Sequence, residues 1–307
     1  MIRIGVDFGG TKIEAAAVDE AGAFLSRLRV PTPRVYPRAI AAVADLVARL
    51  ESEAGVFGAS IGIGMPGSIS PLTGLLRNAN SQWLAGHPFH EDLERALDRP
   101  VRLQNDANCF ALSEAVGGAA DGARVVFGAI LGTGCGGGVA IEGRAFEGMN
   151  KIAGEWGHSP LPWPSARERG RHLCWCGRRD CLETWISGTA FSADFQRRTG
   201  RSLSGEEIAI AMRAGDRAAR MVFARWLDRL ARALAVVCDI LDPDVIVLGG
   251  GMSNIEETYQ ALPRLIARRI FSDVFATPVV KAMHGDSSGV RGAAWLWPLP
   301  RTSASGG

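Results

Sequence analysis

Between Gly154 and Glu183 the chain reads GEWGHSPLPWPSARERGRHLCWCGRRDCLE, in which His158 precedes Cys174, Cys176 and Cys181, a C-x-C-x4-C cluster. One imidazole and three thiolates make a closed tetrahedral Cys3His set, the ligand type of a structural Zn2+ site. The competing readings are a chance cysteine cluster or a disulfide, and a disulfide needs an oxidising compartment for which no export signal is visible. Two carboxylates flank the ligands, Glu155 before the histidine and Glu183 after the last cysteine. Chelation would draw both toward the metal, so the zinc is expected to shape a polar pocket as well as staple a loop.

Three glycine turns each follow an apolar run: Asp7–Lys12, Gly132–Gly138 and Gly249–Gly251. Glycine lets the backbone approach a ligand closely and present N–H groups as an anion nest. One such turn alone is an ordinary hairpin; the set points to a polyphosphate. Asp7 ends its strand facing the first nest and is placed to hold Mg2+ directly or through water. Gly132-x-Gly134-x-x-Gly137 satisfies the dinucleotide expression, but Val139–Glu142 reads as strand where that motif requires a helix. No G-x-x-x-x-G-K-[ST] occurs either, which excludes a Walker-type site. Asp106, at a strand-to-helix junction between Asn105 and Asn108, is the candidate general base. Helix N-capping competes equally for it on position alone. Trp156, Trp163 and Trp175 are expected to pack around the zinc segment, and Arg167–Arg171 reads as a solvated loop. Cys109, Cys135 and Cys238 read as small core or turn residues.

The elements that position these groups follow from periodicity. Strands are expected over Ile2–Asp7, Ile13–Val18 and Ala23–Val30, an antiparallel meander broken by Pro31 and Pro33. A helical stripe of Ile40, Val43, Leu46, Val47 and Leu50 precedes the strand Ala59–Gly64. A helix at Glu91–Leu97, a strand at Val101–Leu103 and a helix over Ala107–Val116 follow. Val125–Leu131, the glycine turn and Val139–Glu142 repeat the opening order of strand, glycine-and-threonine turn, strand, acidic turn. Ala218, Val222, Trp226, Leu230, Leu234 and Val237 mark a long amphipathic helix that ends near Asp242-Pro243. The strand Val245–Leu248, a helix at Ile255–Ile270, a strand at Val279–Val280 and a helix from Ser288 to Trp297 close the pattern. Strands and helices alternate after a meander, the mark of an α/β protein with mixed sheets. A length of 307 residues suits two domains and 47% hydrophobic content suits a sizeable core. The net charge of +2 gives no reason to expect nucleic acid or an anionic membrane. No apolar run reaches the ~18 residues of a membrane span, and the cysteine usage suggests a reducing cytoplasm.

The motifs D-F-G-G-T-K at Asp7–Lys12, N-D-A-N at Asn105–Asn108, G-T-G-C-G-G-G at Gly132–Gly138, G-E-W-G-H at Gly154–His158 and C-W-C-G-R-R-D-C-L-E at Cys174–Glu183 together resemble the ROK family. That family contains bacterial sugar kinases and related transcriptional repressors. The resemblance covers nearly the whole chain, and the cysteine motif with its preceding G-E-x-G-H is highly specific. N-A-N-S-Q-W-L at Asn78–Leu84 and H-G-D-S-S-G-V-R-G-A-A-W-L-W-P at His284–Pro298 look most like the bacterial fructokinase (manno-fructokinase) branch. The N-acetylglucosamine kinase branch is the nearest alternative, with glucokinase beside it.

The resemblance implies an actin-like ATPase fold of two ribonuclease-H-like domains, with the active site in the cleft. Residues 1–119 with 290–307 would form the smaller domain, and 120–289 the larger one with the zinc loop. ATP phosphates would lie on Gly9, Gly10, Thr11 and Lys12 and on Gly132, Thr133, Gly134, Gly136 and Gly137, with Gly249, Gly250 and Gly251 near the adenosine. Gly67, Asn80, Asn105, Glu155, His158 and Glu183 would hold the sugar, His158 doubling as a zinc ligand. Asp106 matches the family's catalytic base. The implied reaction is transfer of the ATP γ-phosphoryl group to the 6-hydroxyl of a hexose, fructose first, in a cytoplasmic homodimer. Repressors of the family carry an N-terminal helix-turn-helix domain ahead of the phosphate motif. With Asp7 six residues after the first, none is expected here, and the repressor reading falls behind the kinase.

Overall fold

The computed structural model describes residues 2–79, 81 and 83–297, with the side chain of Asp286 excepted. The chain divides into two compact units, Met1–Gly117 with Arg144–Ala153 and Asp286–Gly307, and Gly118–Gly143 with Gly154–Gly285. Arg144–Ala153, expected in the second domain, groups with the first. One tie that holds it there runs from Arg77 Nη2 to the Asn150 carbonyl at 2.7 Å.

The first unit opens with β1 (Arg3–Phe8), β2 (Lys12–Val18) and β3 (Phe24–Pro31), the expected antiparallel meander with Asp7 opposite Glu14 and Glu14 opposite Arg29. Helix α1 (Tyr36–Ala54) follows, burying Ile40, Val43, Leu46, Val47 and Leu50. It begins before its apolar stripe because a proline stands in its first turn, where the missing N–H costs nothing. Strand β4 (Ser60–Met65), the small hairpin β5 (Ser68–Ile69) and β6 (Leu76–Arg77), helix α2 (Phe89–Leu97), strand β7 (Val101–Asn105) and helix α3 (Asp106–Ala115) complete the run. The main sheet has the order β3-β2-β1-β4-β7, with β4 parallel to both β1 and β7.

The second unit is built from β8 (Val125–Leu131), β9 (Cys135–Ile141), α4 (Glu183–Ile186), α5 (Gly188–Thr199), α6 (Gly205–Arg213), α7 (Arg217–Leu241), β11 (Val245–Gly249), α8 (Glu257–Ala267) and β12 (Val279–Lys281); the short strand β10 (Arg144–Ala145), counted in its sheet, belongs to the segment grouped with the first unit. Its sheet order, β10-β9-β8-β11-β12, repeats that of the first. Again an antiparallel hairpin is extended by two parallel strands. The weak repeat in the sequence is therefore a repeat of topology.

Helix α9 (Ser288–Ala294) returns to the first unit and lies against β1, β4 and α3. Gly5 and Gly62 allow this approach, since a Cβ on either would fall 2.0 Å from the Val290 carbonyl oxygen or 1.9 Å from that of Ala293. Two readings need correction. Strand β9 starts at Cys135, so Gly136–Gly138 are strand residues and the turn is only Gly132–Gly134. Helices α5 and α6 stand in a stretch left without elements in the sequence reading. Their caps are legible in hindsight: the Ser187 side chain accepts from Ala190 N–H, and Ser204 with Glu207 forms a capping box.

Candidate active site

In the first unit Asp7 lies one residue before the end of β1 and Asn105 ends β7, on either side of β4. These are the carboxyl ends of parallel strands, the edge at which open α/β sheets bind ligands. The β1–β2 turn is closed by Gly9 N–H donating to the Lys12 carbonyl at 3.0 Å and by the Thr32 hydroxyl donating to the Gly9 carbonyl at 2.7 Å. Gly10 and Thr11 are exposed at its tip. Lys12 Nζ lies 3.6 Å from Glu14 Oε2, and the buried Glu14 carboxylate also pairs with Arg27 and Arg29. Burial, then the Asp106 and Glu14 carboxylates, push the Asp7 carboxyl up to about 7 against the opposing pull of Lys12 and Arg29. A carboxylate so disfavoured alone, with a second one near, suits a hard divalent cation.

Asp106 opens α3 and is exposed. The N-cap role falls to Asn105, whose Oδ1 accepts from Ala107 N–H at 3.0 Å. Asn105 Nδ2 donates to the Gly67 carbonyl at 3.1 Å, which joins two expected sugar-binding residues. Gly67 has φ of +77°, and a Cβ there would lie 2.2 Å from the Arg77 carbonyl oxygen; the β5–β6 hairpin thus demands the glycine. Asn80 lies outside the described residues.

In the second unit the cysteine segment is a knuckle. Gly177 N–H donates to the Cys174 carbonyl at 3.0 Å and Cys174 N–H to the Arg178 carbonyl at 2.8 Å, with Gly177 at φ +85°. Asp180 braces its base by accepting from the backbone N–H groups of Arg171 and His172, each at 3.0 Å. Leu182 N–H donates to the Ser159 carbonyl at 2.8 Å, which brings the residue after His158 alongside the one after Cys181. One donor atom from each of His158, Cys174, Cys176 and Cys181 lies within 4.8 Å of all the others. Zn–S bonds of ~2.3 Å and Zn–N bonds of ~2.0–2.1 Å in a tetrahedron require edges of about 3.6–3.8 Å. Cys174 Sγ to His158 Nδ1 and Cys176 Sγ to Cys181 Sγ are both 3.6 Å. The four residues fit zinc.

The stretch around Arg167–Arg171 is not the simple solvated loop expected. Glu168 reaches Arg229 and Arg232 of α7, each at 2.9 Å. Burial would raise the Glu168 carboxyl, but these guanidinium partners outweigh it and hold it down at about 2.

Glu155 begins the 3-10 turn Glu155–His158. Burial raises its carboxyl, His158 draws it down and Glu183 raises it again. Glu183 Oε2 accepts from Cys135 N–H at 3.1 Å, and Glu183 Oε1 accepts from Trp175 Nε1 at 2.8 Å. The glycines now separate by cause. A Cβ on Gly134 would lie 2.6 Å from Glu183 Oε2, and one on Gly137 would lie 2.5 Å from Trp156 Cδ1. Trp156 itself is buried and donates to the Gly136 carbonyl at 2.8 Å. A Cβ on Gly250, at φ +77°, would lie 2.6 Å from the Leu131 carbonyl oxygen. At Gly132 and Gly251, by contrast, a Cβ would meet open space. Both line a cavity of about 920 Å³ together with Thr133, Gln196, Arg213 and Asn254. The α5 and α6 side of that cavity was not foreseen. Cys109, Cys135 and Cys238 are buried, as expected.

The ROK family profile matches residues 3–299. An N-acetyl-D-glucosamine kinase from Pectobacterium atrosepticum is 42% identical over 297 residues, covering 95% of this chain and 97% of that one. Among solved structures, the ROK hexokinase from Thermus thermophilus superposes with a TM-score of 0.84 at 35% identity, covering 96% of this chain and 97% of the other. A ROK family glucokinase from Streptomyces griseus, in complex with glucose and AMPPNP, gives a TM-score of 0.78 at 28% identity, with 96% and 99% covered.

Proposed function

The chain belongs to the ROK family and has its actin-like ATPase fold, and from that premise we propose that it transfers the γ-phosphoryl group of ATP to the 6-hydroxyl of N-acetylglucosamine. The observation that carries the reading is the 42% identity to a kinase of that sugar across 95% of the chain. The fructose reading, drawn from Asn78–Leu84 and His284–Pro298, gives way to the alternative that stood beside it.

Phosphoryl transfer asks for alignment and charge neutralisation more than for covalent help. In this reading Asp106 takes the proton of the attacking hydroxyl while the new oxygen–phosphorus bond forms. The bond from the γ-phosphorus to the β–γ bridging oxygen breaks, and ADP leaves. Gly67, Asn80, Asn105, Glu155, His158 and Glu183 hold the sugar. Gly9, Gly10, Thr11, Lys12 and the Gly132–Gly134 turn hold the phosphates, and the cavity beside Gly251 takes the adenosine. Asp7 would hold Mg2+, which when bound neutralises phosphate charge. Zn2+ on His158, Cys174, Cys176 and Cys181 would be structural.

The Asp106→Asn variant tests the assignment. We expect kcat to fall by about 10²–10⁴, the scale of a lost general base, with the dissociation constant for sugar nearly unchanged. Near-normal turnover would overturn the role given to Asp106.

A further inference from the structure

We propose that Trp175 is a positioning residue for the sugar, its indole N–H fixing the Glu183 carboxylate in the orientation that meets the substrate hydroxyls; the inference rests on the sugar-kinase reading above. Trp175 stands between two zinc ligands, Cys174 and Cys176, in the tight turn closed at Gly177. Chelation on both sides would fix the direction in which its side chain leaves the backbone. The ring meets the His158 imidazole edge-on, with centroids 4.9 Å apart and planes at 84°, and Nε1 reaches Glu183 Oε1 at 2.8 Å. The side chain remains 56% exposed. Core packing therefore does not account for its position, and water was open to its N–H as a partner.

Glu183 is held at both oxygens, Oε1 by this indole and Oε2 by the Cys135 N–H at 3.1 Å. Cys174 Sγ lies 4.0 Å from Oε1, and as a metal-bound thiolate it would have no proton to give. A carboxylate offers about four lone-pair sites, so two fixed protein donors still leave capacity for substrate hydroxyls while confining the group to one rotamer. Without the indole, the Cys135 N–H would be the backbone donor left to restrain that rotation among the described residues. The knuckle then serves the sugar through Trp175 as well as through His158.

Trp175→Phe removes the N–H and keeps an aromatic ring against His158. Calorimetric titration of zinc-loaded wild type and variant with N-acetylglucosamine, fructose, mannose and glucose, alongside zinc content, melting temperature and steady-state kinetics, decides the matter. We expect the dissociation constant and KM for the accepted sugar to rise about tenfold, the scale of one hydrogen bond to a charged acceptor. The KM for ATP, kcat at saturating sugar, zinc content and melting temperature should stay at wild-type values. Unchanged sugar affinity overturns the proposal, and so does a loss of zinc or of thermal stability that accompanies the affinity loss. If wild type binds a hexose other than N-acetylglucosamine, the acceptor reading fails and the same ratio on that hexose still decides Trp175. Wild type that binds none of the four overturns both.

Discussion

Asp7 carries a carboxyl whose burial, reinforced by Asp106 and Glu14, moves it from an ordinary value of 3.8 to about 7. A raised carboxyl favours the folded state in its protonated form. That contribution is complete below about 3.8 and is lost as pH rises through about 7. In Mg2+-free buffer the wild type is therefore expected to melt at a lower temperature at pH 8 than at pH 6, and Asp7→Asn to flatten that dependence. Thermal melts at the two pH values check this; an equal fall in wild type and variant would contradict it. Alternation in the sequence stopped the first strand at Asp7, one residue short of its end at Phe8. It could not report the Asp106 and Glu14 charges, which are neighbours only through the sheet. The glycines show the same limit. Composition marked the turns, but whether a glycine faces a ligand or a packed side chain depends on contacts such as Trp156 against Gly137. Asp106 was a different case: position alone left capping and catalysis even, and in the structure Asn105 holds the N-cap.

The knuckle from Pro160 to Cys181 contains little regular structure, and the described hydrogen bonds that shape it are mostly local turns and the three N–H groups gathered by Asp180. A metal held by His158, Cys174, Cys176 and Cys181 would give such a segment order. Cys176→Ala is expected to lower zinc content, melting temperature and sugar affinity together, because His158 and Glu183 are oriented from the same turn. Metal analysis, melting and sugar titration on one preparation test this, and full zinc occupancy with unchanged stability would contradict it. The gathering of His158 with Cys174, Cys176 and Cys181 was legible because metal chemistry prescribes residue type and spacing. The grip of Arg229 and Arg232 on Glu168 was not, since the arginines of α7 lie about sixty residues along the chain and no local pattern announces the pairing. Helices α5 and α6 went unread for another reason: their apolar faces are short, with only Phe191 and Phe195 in α5 and Ile208, Ala209 and Met212 in α6 as buried apolar residues. Their serine caps were the stronger signal.

Across the whole molecule, two sheets share one strand order, and each presents the carboxyl ends of parallel strands to its share of the expected residues. Gly67, Asn105 and Asp106 belong to the first unit, and Glu155, His158 and Glu183 to the second. The sequence disclosed this duplication through a hairpin pattern too faint for residue identity, because topology tolerates substitution so long as alternation and turn glycines persist. Among the described residues no helix is long and apolar enough to cross a membrane. Sugar choice was the least legible property. Hexoses differ in hydroxyl orientation and ring size, and placement at that scale is set by several side chains jointly. The decisive measurement is a coupled ADP-release assay with Mg-ATP, comparing kcat/KM for N-acetylglucosamine, fructose, mannose and glucose on zinc-loaded protein. The account predicts turnover with a clear preference for N-acetylglucosamine; a preference for fructose would contradict the acceptor assignment, and no ADP release with any of the four would contradict the kinase reading itself.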